Sequence, residues 1–149
     1  MDIKSSDERS RNMAAIRSKD TKPEIFFRKL LFAKGLRYRK NVGNIPGHPD
    51  LYLAKYHTAI FVHGCFWHRH SGCKYSYSPK SRQEYWSNKF SRNIARDNAV
   101  KNELAGKMIK CLIVWECTLK KMARSAEVTD QVLNDCIQFL KSDQLYIEI

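Results

Sequence analysis

The chain has 149 residues, which is enough for one domain with a hydrophobic core but short for two. Its 27 lysine and arginine residues outnumber the 15 acidic ones, giving a net charge of +12 that favours nucleic acid as a partner, with an anionic membrane surface second. No run of about 18 apolar residues is present, so no membrane span is expected. The polar N-terminus MDIKSSDERSRN lacks the apolar core of a secretory signal, and we expect a cytoplasmic protein.

Residues 1–20 carry many charges and few large apolar groups, which predicts an arm that needs a partner to order it. Residues 21–149 are predicted to form one domain that begins with a helix. Thr21 and Glu24 have the spacing of a capping box, and Gly35 stands where the helix should stop.

Three strands are predicted next, in LRYRKNV, DLYLA and HTAIFVH, with the Gly- and Pro-rich turn NIPGHPD between the first two. A long helix is predicted over residues 81–106, with Trp86, Phe90 and Ile94 on one face. The branched apolar run KCLIVWE predicts a buried strand, and EVTDQVLNDCIQFLKS a final amphipathic helix. This order predicts an α/β fold, a single domain with a mixed central sheet flanked by helices.

The segment FVHGCFWHRHSGC concentrates the residues that bind zinc. Thiolate and imidazole are the ligands zinc prefers, and a structural site normally takes four of them. Five cysteines, an odd number, argue against a disulfide framework in a cytosolic chain. The local candidates are His63, Cys65, His68, His70 and Cys73.

A fourth ligand from elsewhere is expected, and Cys111 and Cys117 compete for that place. They bracket one predicted strand, so about six residues at roughly 3.3 Å each hold them near 20 Å apart, and one zinc ion cannot reach both. Cys117 lies where the strand has ended, and a ligand is easier to turn at the end of a loop. We therefore prefer Cys117.

Four segments in the same order, IPGHPDLYL, AIFVHGCFWHRHSGC, EYWSNKFSRNIARD and LIVWEC, closely resemble the very short patch repair (Vsr) mismatch endonucleases over roughly residues 11–117. The resemblance implies a zinc-containing branch of the PD-(D/E)xK nuclease fold, which is similar to type II restriction enzymes. Members nick on the 5′ side of the thymine in T·G mismatches left by deamination of 5-methylcytosine. A polymerase and a ligase then complete the repair.

The resemblance also implies roles for individual residues. A structural zinc would be held by Cys65, His70, Cys73 and Cys117, although one extra residue between the last two local ligands keeps His68 as an alternative to His70. Catalytic magnesium would be bound by Asp50 and the backbone carbonyl of Val62. The catalytic side chains would be Asp50, His63, His68 and Glu24. DNA would be contacted by Met13 and by the intercalating rings of Phe66, Trp67 and Trp86.

Phosphodiester hydrolysis needs a nucleophilic water and charge neutralisation, both of which magnesium supplies through oxygen ligands. Related nucleases carry E-x-K on a strand where this chain has Phe61-Val62-His63. Strand alternation sends Val62 to the opposite face, so only its carbonyl can reach a metal. Well-known family members carry threonine at this position.

Histidine titrates near neutral pH, so His63 and His68 are both candidates for proton transfer. We assign His68 as the general base and His63 as the partner of the transition state or leaving group. Asp50 could instead be a simple turn residue after Pro49. Glu24 already caps a helix, and it could also hold a magnesium-bound water.

A T·G wobble pair is cheaper to unstack than a Watson–Crick pair, so large rings used as wedges would select it. The competing interpretation is that Trp86 and Phe90 form a core stripe. Lys89, Asn93 and Arg96 are candidates for contacts with base edges. Phosphate binding, or an internal scaffold of Arg96 and Asp97, explains them equally well.

The sequence therefore predicts a monomeric, magnesium-dependent mismatch nickase that acts on double-stranded DNA in the bacterial cytoplasm, near the nucleoid. One alternative is a nicking enzyme of the same fold with a different target. The other is a zinc-containing DNA-binding module without catalysis, against which Asp50, His63 and His68 argue.

Overall fold

The computed structural model describes residues 20–149, which contain a five-stranded mixed sheet and four α-helices. The predicted mixed α/β domain is confirmed at this level, while Met13 and nearly all of the predicted arm lie outside the described residues. The elements in chain order are α1 (Lys22–Ala33), β1 (Arg39–Lys40), β2 (Leu51–Leu53), β3 (Thr58–His63), α2 (Gln83–Gly106), β4 (Lys110–Trp115), α3 (Glu116–Arg124), α4 (Ala126–Lys141) and β5 (Tyr146–Glu148).

The strands lie side by side in chain order, β1 to β5. The first three are antiparallel neighbours, whereas β3, β4 and β5 run parallel because helices cross over between them. The parallel register pairs Val62 with Val114 and His63 with Trp115. The carboxyl ends of β3 and β4 therefore meet at one edge of the sheet.

Both faces of the sheet are covered. On one face α1, α3 and α4 pack against strand residues such as Leu112, which is fully buried with Phe27. On the other face α2 contributes Leu104, which packs in one cluster with Ile113. This two-sided burial explains why β4 is a continuous apolar run rather than an alternating one.

Helix α1 begins at the predicted cap. The Thr21 hydroxyl accepts a hydrogen bond from the Glu24 N–H at 3.5 Å. The Glu24 carboxylate accepts from the backbone N–H of Asp20 at 2.9 Å, one residue before the position that a capping box uses. Gly35 follows the helix with a φ of +85°, a left-handed conformation that favours glycine.

Two elements were not predicted. Helix α3 starts directly after β4, so Cys117 lies in the first helical turn, and its expected place at a loop end is wrong. The sequence does not reveal this helix, because no Gly or Pro separates the strand from Glu116, where the helix begins.

Strand β5 has only three residues and is recognised by its pairing with β4. The first predicted strand is also shorter than LRYRKNV, because Asn41 has a φ of +50°.

The inward face of α2 also differs from the prediction. Phe90 and Asn93 are buried, while Ile94 is 44% exposed. Two side chains seven positions apart on a helix point in directions that differ by about 20°, whereas side chains eight positions apart differ by about 80°. Asn93 therefore shares the face of Trp86, and Ile94 does not. No helix among residues 20–149 is long and apolar enough to cross a membrane.

Candidate active site and metal cluster

An open cleft of about 1030 Å³ lies where the carboxyl end of β3 faces α2 and the start of α1. It brings together four residues that were proposed from sequence as catalytic groups, although they are up to 44 positions apart (68 − 24 = 44). The chemistry-bearing residues that line it include Glu24, Asp50, His63, His68 and Asp97.

Asp50 is held in the cleft by the glycine-rich turn that precedes it. Gly47 has a φ of +81°, and a Cβ atom there would come within 2.5 Å of the Val100 side chain and 3.0 Å of the Phe61 ring. Only glycine can make this approach without displacing its neighbours. The turn leads through the buried Pro49 to Asp50, which directly precedes β2.

The Asp50 carboxylate accepts a hydrogen bond from the Val62 N–H at 2.7 Å. Burial and, to a smaller extent, the nearby Glu24 carboxylate raise the pKa of Asp50 to about 7, against the lowering effect of the Val62 bond. The buried Glu24 and the partly buried Asp50 thus place two carboxyl groups together, an arrangement that favours a bound cation.

The backbone of Val62 points its polar groups toward Asp50. The N–H and C=O of a strand residue lie on the same side of the strand, so the Val62 carbonyl is also directed to the Asp50 side. At the same time its side chain packs in the core on the opposite face from Phe61, as alternation predicts. Val62 can therefore offer a carbonyl oxygen next to the two carboxylates.

The rings of His63 and His68 stack in parallel, with centroids 3.7 Å apart and planes 5° apart. The His68 Nδ1 atom lies 2.7 Å from the Asp97 carboxylate. A carboxylate only accepts, so Nδ1 carries a hydrogen, and in the neutral ring Nε2 then presents a lone pair. Asp97 was considered in the sequence only as part of a scaffold with Arg96, and no spacing signal connects it with His68.

His63 is buried, and its pKa departs from the ordinary value of a histidine. Burial, together with the positive charge that His68 can carry, lowers the pKa of His63 to about 3, against the raising effect of Asp97. The expectation that it titrates near neutral pH is therefore not met in the free protein. The stack also argues against one metal shared by the two rings, because an imidazole binds metals in its own plane and the two planes are parallel.

The four residues named as zinc ligands, Cys65, His70, Cys73 and Cys117, come together beside this cleft. Their ligand atoms all lie within 4.8 Å of one another. The His70 Nδ1 atom is 3.6 Å from the Cys65 sulfur and 3.4 Å from the Cys117 sulfur. Tetrahedral zinc with its usual bond lengths separates a nitrogen and a sulfur ligand by about 3.6 Å, so this donor set fits zinc. His68 lies outside the cluster, and Cys111 is buried in β4.

Trp115 connects the cluster with the cleft. Its ring stacks on His70 with centroids 4.1 Å apart and meets His63 edge-on at 5.4 Å. The indole N–H donates to the Glu148 carboxylate at 2.9 Å, and the Tyr146 hydroxyl donates to the other oxygen at 2.8 Å. The sequence analysis identified neither Glu148 as an acceptor nor β5 as a strand, because β5 is short and lies far along the chain.

Comparison of the sequence with those of known proteins identifies the family. The sequence model described as DNA mismatch endonuclease Vsr matches residues 1–74. The chain is 42% identical to the type II nicking enzyme V.NmeAIP of Neisseria meningitidis serogroup A over 134 residues, which cover 90% of this chain and 95% of that protein. It is 37% identical to the DNA mismatch endonuclease Vsr of Escherichia coli K12 over 130 residues, covering 87% and 81%. A further relative, the type II nicking enzyme V.XorIIP of Xanthomonas oryzae, is 42% identical over 110 residues, covering 74% and 80%.

The chain belongs to the Vsr family of DNA endonucleases. The family resemblance read from the motifs is thereby confirmed. In this Vsr-family protein the predicted DNA-contacting rings form one cluster above α2. The Phe66 ring meets Trp67 and Trp86 at centroid distances of 5.1 and 5.5 Å, and all three are partly buried. Phe90 lies beneath them and is buried, as the core interpretation expects.

The remaining predicted contacts divide into two kinds. The Lys89 ammonium lies 5.7 Å from the Trp67 ring, at the edge of the cluster. Asn93 is buried, and its amide donates to the Trp67 carbonyl at 3.0 Å. Its side-chain oxygen accepts from Arg96 at 2.5 Å. Asn93 is therefore already engaged within the protein, and any influence on DNA would pass through Trp67.

Proposed function

We propose that this Vsr-family endonuclease nicks double-stranded DNA on the 5′ side of the thymine in a T·G mismatch and so begins very short patch repair. The observation that carries the proposal is the cleft itself, in which Asp50 and Glu24 face the His68–Asp97 pair across a space open to DNA. A DNA-binding module without catalysis would have no use for this combination.

Magnesium is the metal that we assign to the acidic side of the cleft. Asp50 and the Val62 carbonyl would bind it, with Glu24 placed to hold one of its waters. When bound there, magnesium supplies positive charge next to the phosphate that is cleaved. Val62 serves through its backbone, so the absence of a threonine hydroxyl does not remove a ligand.

His68 is the general base in this proposal. Asp97 fixes the tautomer that leaves Nε2 free to take a proton from the attacking water. His63 is neutral in the free protein, so it would donate a hydrogen bond to the phosphate or leaving oxygen rather than deliver a proton from an imidazolium.

Zinc is the metal that we assign to the Cys/His cluster, in a structural role. It would hold rigid the segment that carries Phe66, Trp67 and His68, because Cys65 and His70 flank all three. Burial raises the pKa of the Cys65 thiol, so the thiolate form needs a cation beside it. The same segment would therefore position both the intercalating rings Phe66 and Trp67 and the general base His68.

Recognition would combine charge with stacking. The net charge of +12 attracts the duplex, and Lys89 lies beside the rings of Phe66, Trp67 and Trp86, which would enter the weakly stacked wobble pair. Met13 would approach the DNA from the N-terminal arm. A polymerase and a ligase would act on the nick, and we expect a monomer acting on DNA in the bacterial cytoplasm.

A second candidate is a nicking enzyme of the same fold with another target, because V.NmeAIP and V.XorIIP are named as type II nicking enzymes. End-labelled duplexes that carry T·G, T·A or C·G at one position separate the two candidates when they are incubated with magnesium and resolved on a denaturing gel. A single cut 5′ of the thymine in the T·G duplex is expected. Cutting of all three duplexes at one sequence would favour the second candidate. No cutting of the T·G duplex by the wild-type protein would contradict the first candidate.

A further inference from the structure

Beside the proposed wedges lies a ring that is more exposed than any of them. Tyr77 is 63% exposed, whereas Phe66, Trp67 and Trp86 are partly buried. The Tyr77 ring lies against Phe66, with centroids 5.0 Å apart. It belongs to the segment between the Cys/His cluster and α2, which carried no motif in the sequence.

The rings around Phe66 restrain one another. Phe66 makes nearly perpendicular contacts with Trp67, Trp86 and Phe90 at centroid distances of 5.1 to 5.5 Å. Each such pair contributes stabilisation beyond simple burial. Because Tyr77 is exposed, it can meet a base while it keeps its contact with Phe66.

Arg69 holds the Tyr77 segment in place. Its guanidinium lies 3.9 Å above the Phe90 ring. One nitrogen donates to the carbonyls of Phe66 and Tyr77 at 3.1 and 3.0 Å, and the other donates to the Ser76 carbonyl at 2.9 Å and the Ser78 hydroxyl at 3.4 Å. With the four N–H groups of its two terminal nitrogens used inside the protein, Arg69 ties residues 76–78 to the ring cluster of Phe66 and Phe90.

The surface around Tyr77 carries positive charge, which suits DNA, and it is continuous with the active-site cleft. Lys74, Lys80 and Arg82 are exposed on the same segment and carry positive charge. Trp67, which contacts Phe66, also lines the active-site cleft, so the aromatic surface continues into the place where a strand would be cut. A base offers a flat face to an aromatic ring whatever its identity.

We propose that Tyr77 is a DNA-contacting residue that stacks on a base or deoxyribose next to the mismatch, and that Arg69 is the positioning residue that holds it there. This proposal rests on the proposed function, because it assigns both residues to the same DNA complex. Tyr77 would extend the aromatic surface of Phe66, Trp67 and Trp86 outward through its contact with Phe66.

The first test compares Tyr77→Ala and Tyr77→Phe with the control Phe32→Ala, which removes a ring that is 53% exposed on α1. Binding to a T·G duplex is measured by fluorescence anisotropy, with 2-aminopurine beside the mismatch to report unstacking. Tyr77→Ala should weaken binding between about 5-fold and 100-fold and reduce the 2-aminopurine signal. Tyr77→Phe and Phe32→Ala should stay within about two-fold of wild type.

The second test is a double-mutant cycle with Arg69→Lys, which cannot form the same set of hydrogen bonds. If Arg69 acts by holding Tyr77, its replacement weakens binding in the wild-type background and adds little to Tyr77→Ala. Equal losses in both backgrounds would overturn the positioning role. Zinc content and Tm are measured on each variant, so that a damaged metal cluster is recognised separately.

The outcomes also separate this proposal from the proposed function. Wild-type binding and an unchanged 2-aminopurine signal in Tyr77→Ala would overturn the stacking role, whatever the enzyme cuts. If the wild-type protein does not prefer T·G to T·A, the mismatch assignment fails. A loss of duplex binding in Tyr77→Ala would still establish the DNA contact in that case.

Discussion

The Cys/His cluster and the acidic side of the cleft both stand near the end of β3, but they are assembled differently. Three of the four cluster residues lie within nine positions, from Cys65 to Cys73. The acidic side instead joins Glu24 from α1, Asp50 from the residue before β2 and the backbone of β3. A local site depends mainly on its metal for order, whereas a dispersed site depends on the packing of the whole domain.

The largest expected effect concerns the one distant cluster residue. Cys117→Ser should lose the metal and the folded state, because structural zinc contributes folding free energy directly. Elemental analysis and circular dichroism measure both. The matched control is Cys111→Ser, which alters a buried cysteine of β4 and should keep its metal. Full zinc in the Cys117 variant would show that the cluster has been assigned wrongly.

On the acidic side, Asp50→Asn should leave the fold intact and lower the nicking rate by about 10³-fold or more, since it removes the proposed metal-binding charge. Duplex binding should persist, because lysine and arginine contacts dominate affinity. Single-turnover nicking and anisotropy are measured together, with Asp130→Asn on the exposed surface of α4 as control. Near-normal cutting by the Asp50 variant would remove this carboxylate from the catalytic site.

The same residue predicts a pH dependence of stability. Asp50 has a pKa of about 7 in the folded protein against an ordinary 3.8, so the folded state binds the extra proton between these values. Its contribution to the free energy of unfolding is therefore present at low pH and is lost as pH rises through about 7. The loss should be about 2–4 kcal/mol in metal-free buffer. Urea unfolding at pH 5 and pH 8 should show this difference relative to Asp50→Asn, and identical pH profiles would contradict it.

A smaller loss of stability is expected when the turn that positions Asp50 is altered. Gly47→Ala should destabilise the fold by about 1–3 kcal/mol, because it combines a strained φ with contacts to Val100 and Phe61. Gly43→Ala is the control, since a Cβ atom there meets nothing within 4 Å. Urea unfolding and nicking should decline together at Gly47 only. Equal behaviour of the two variants would show that the turn is not tightly packed.

The smallest effect should come from the C-terminal strand. Glu148→Ala removes the acceptor of the Trp115 indole N–H and should cost about 1 kcal/mol. A decrease in Tm is expected together with a shift in Trp115 emission, while zinc content stays full. Glu127→Ala, at an exposed position in the first turn of α4, is the control. Loss of zinc from the Glu148 variant would mean that β5 supports the cluster more strongly than the contacts suggest.

Periodicity and composition were sufficient for much of the architecture. The helices at Lys22–Ala33, Gln83–Gly106 and Ala126–Lys141 were predicted closely, because a capping box and long amphipathic patterns are local signals. Strands β2, β3 and β4 were predicted from apolar runs. Helix α3 and strand β5 were not, because α3 begins without a turn signal and β5 is defined by its neighbour rather than by its own three residues.

The sequence by itself determined which residues can bind metal or move protons, since Cys65, His68 and Cys73 fall in one short segment. Only the tertiary structure decided their partners. It brought Asp97 to His68, Glu24 to Asp50 and Glu148 to Trp115, and it directed Asn93 into the protein. The physical reason is that ligand spacing is written in consecutive residues, whereas burial and hydrogen-bond geometry arise when distant elements pack together.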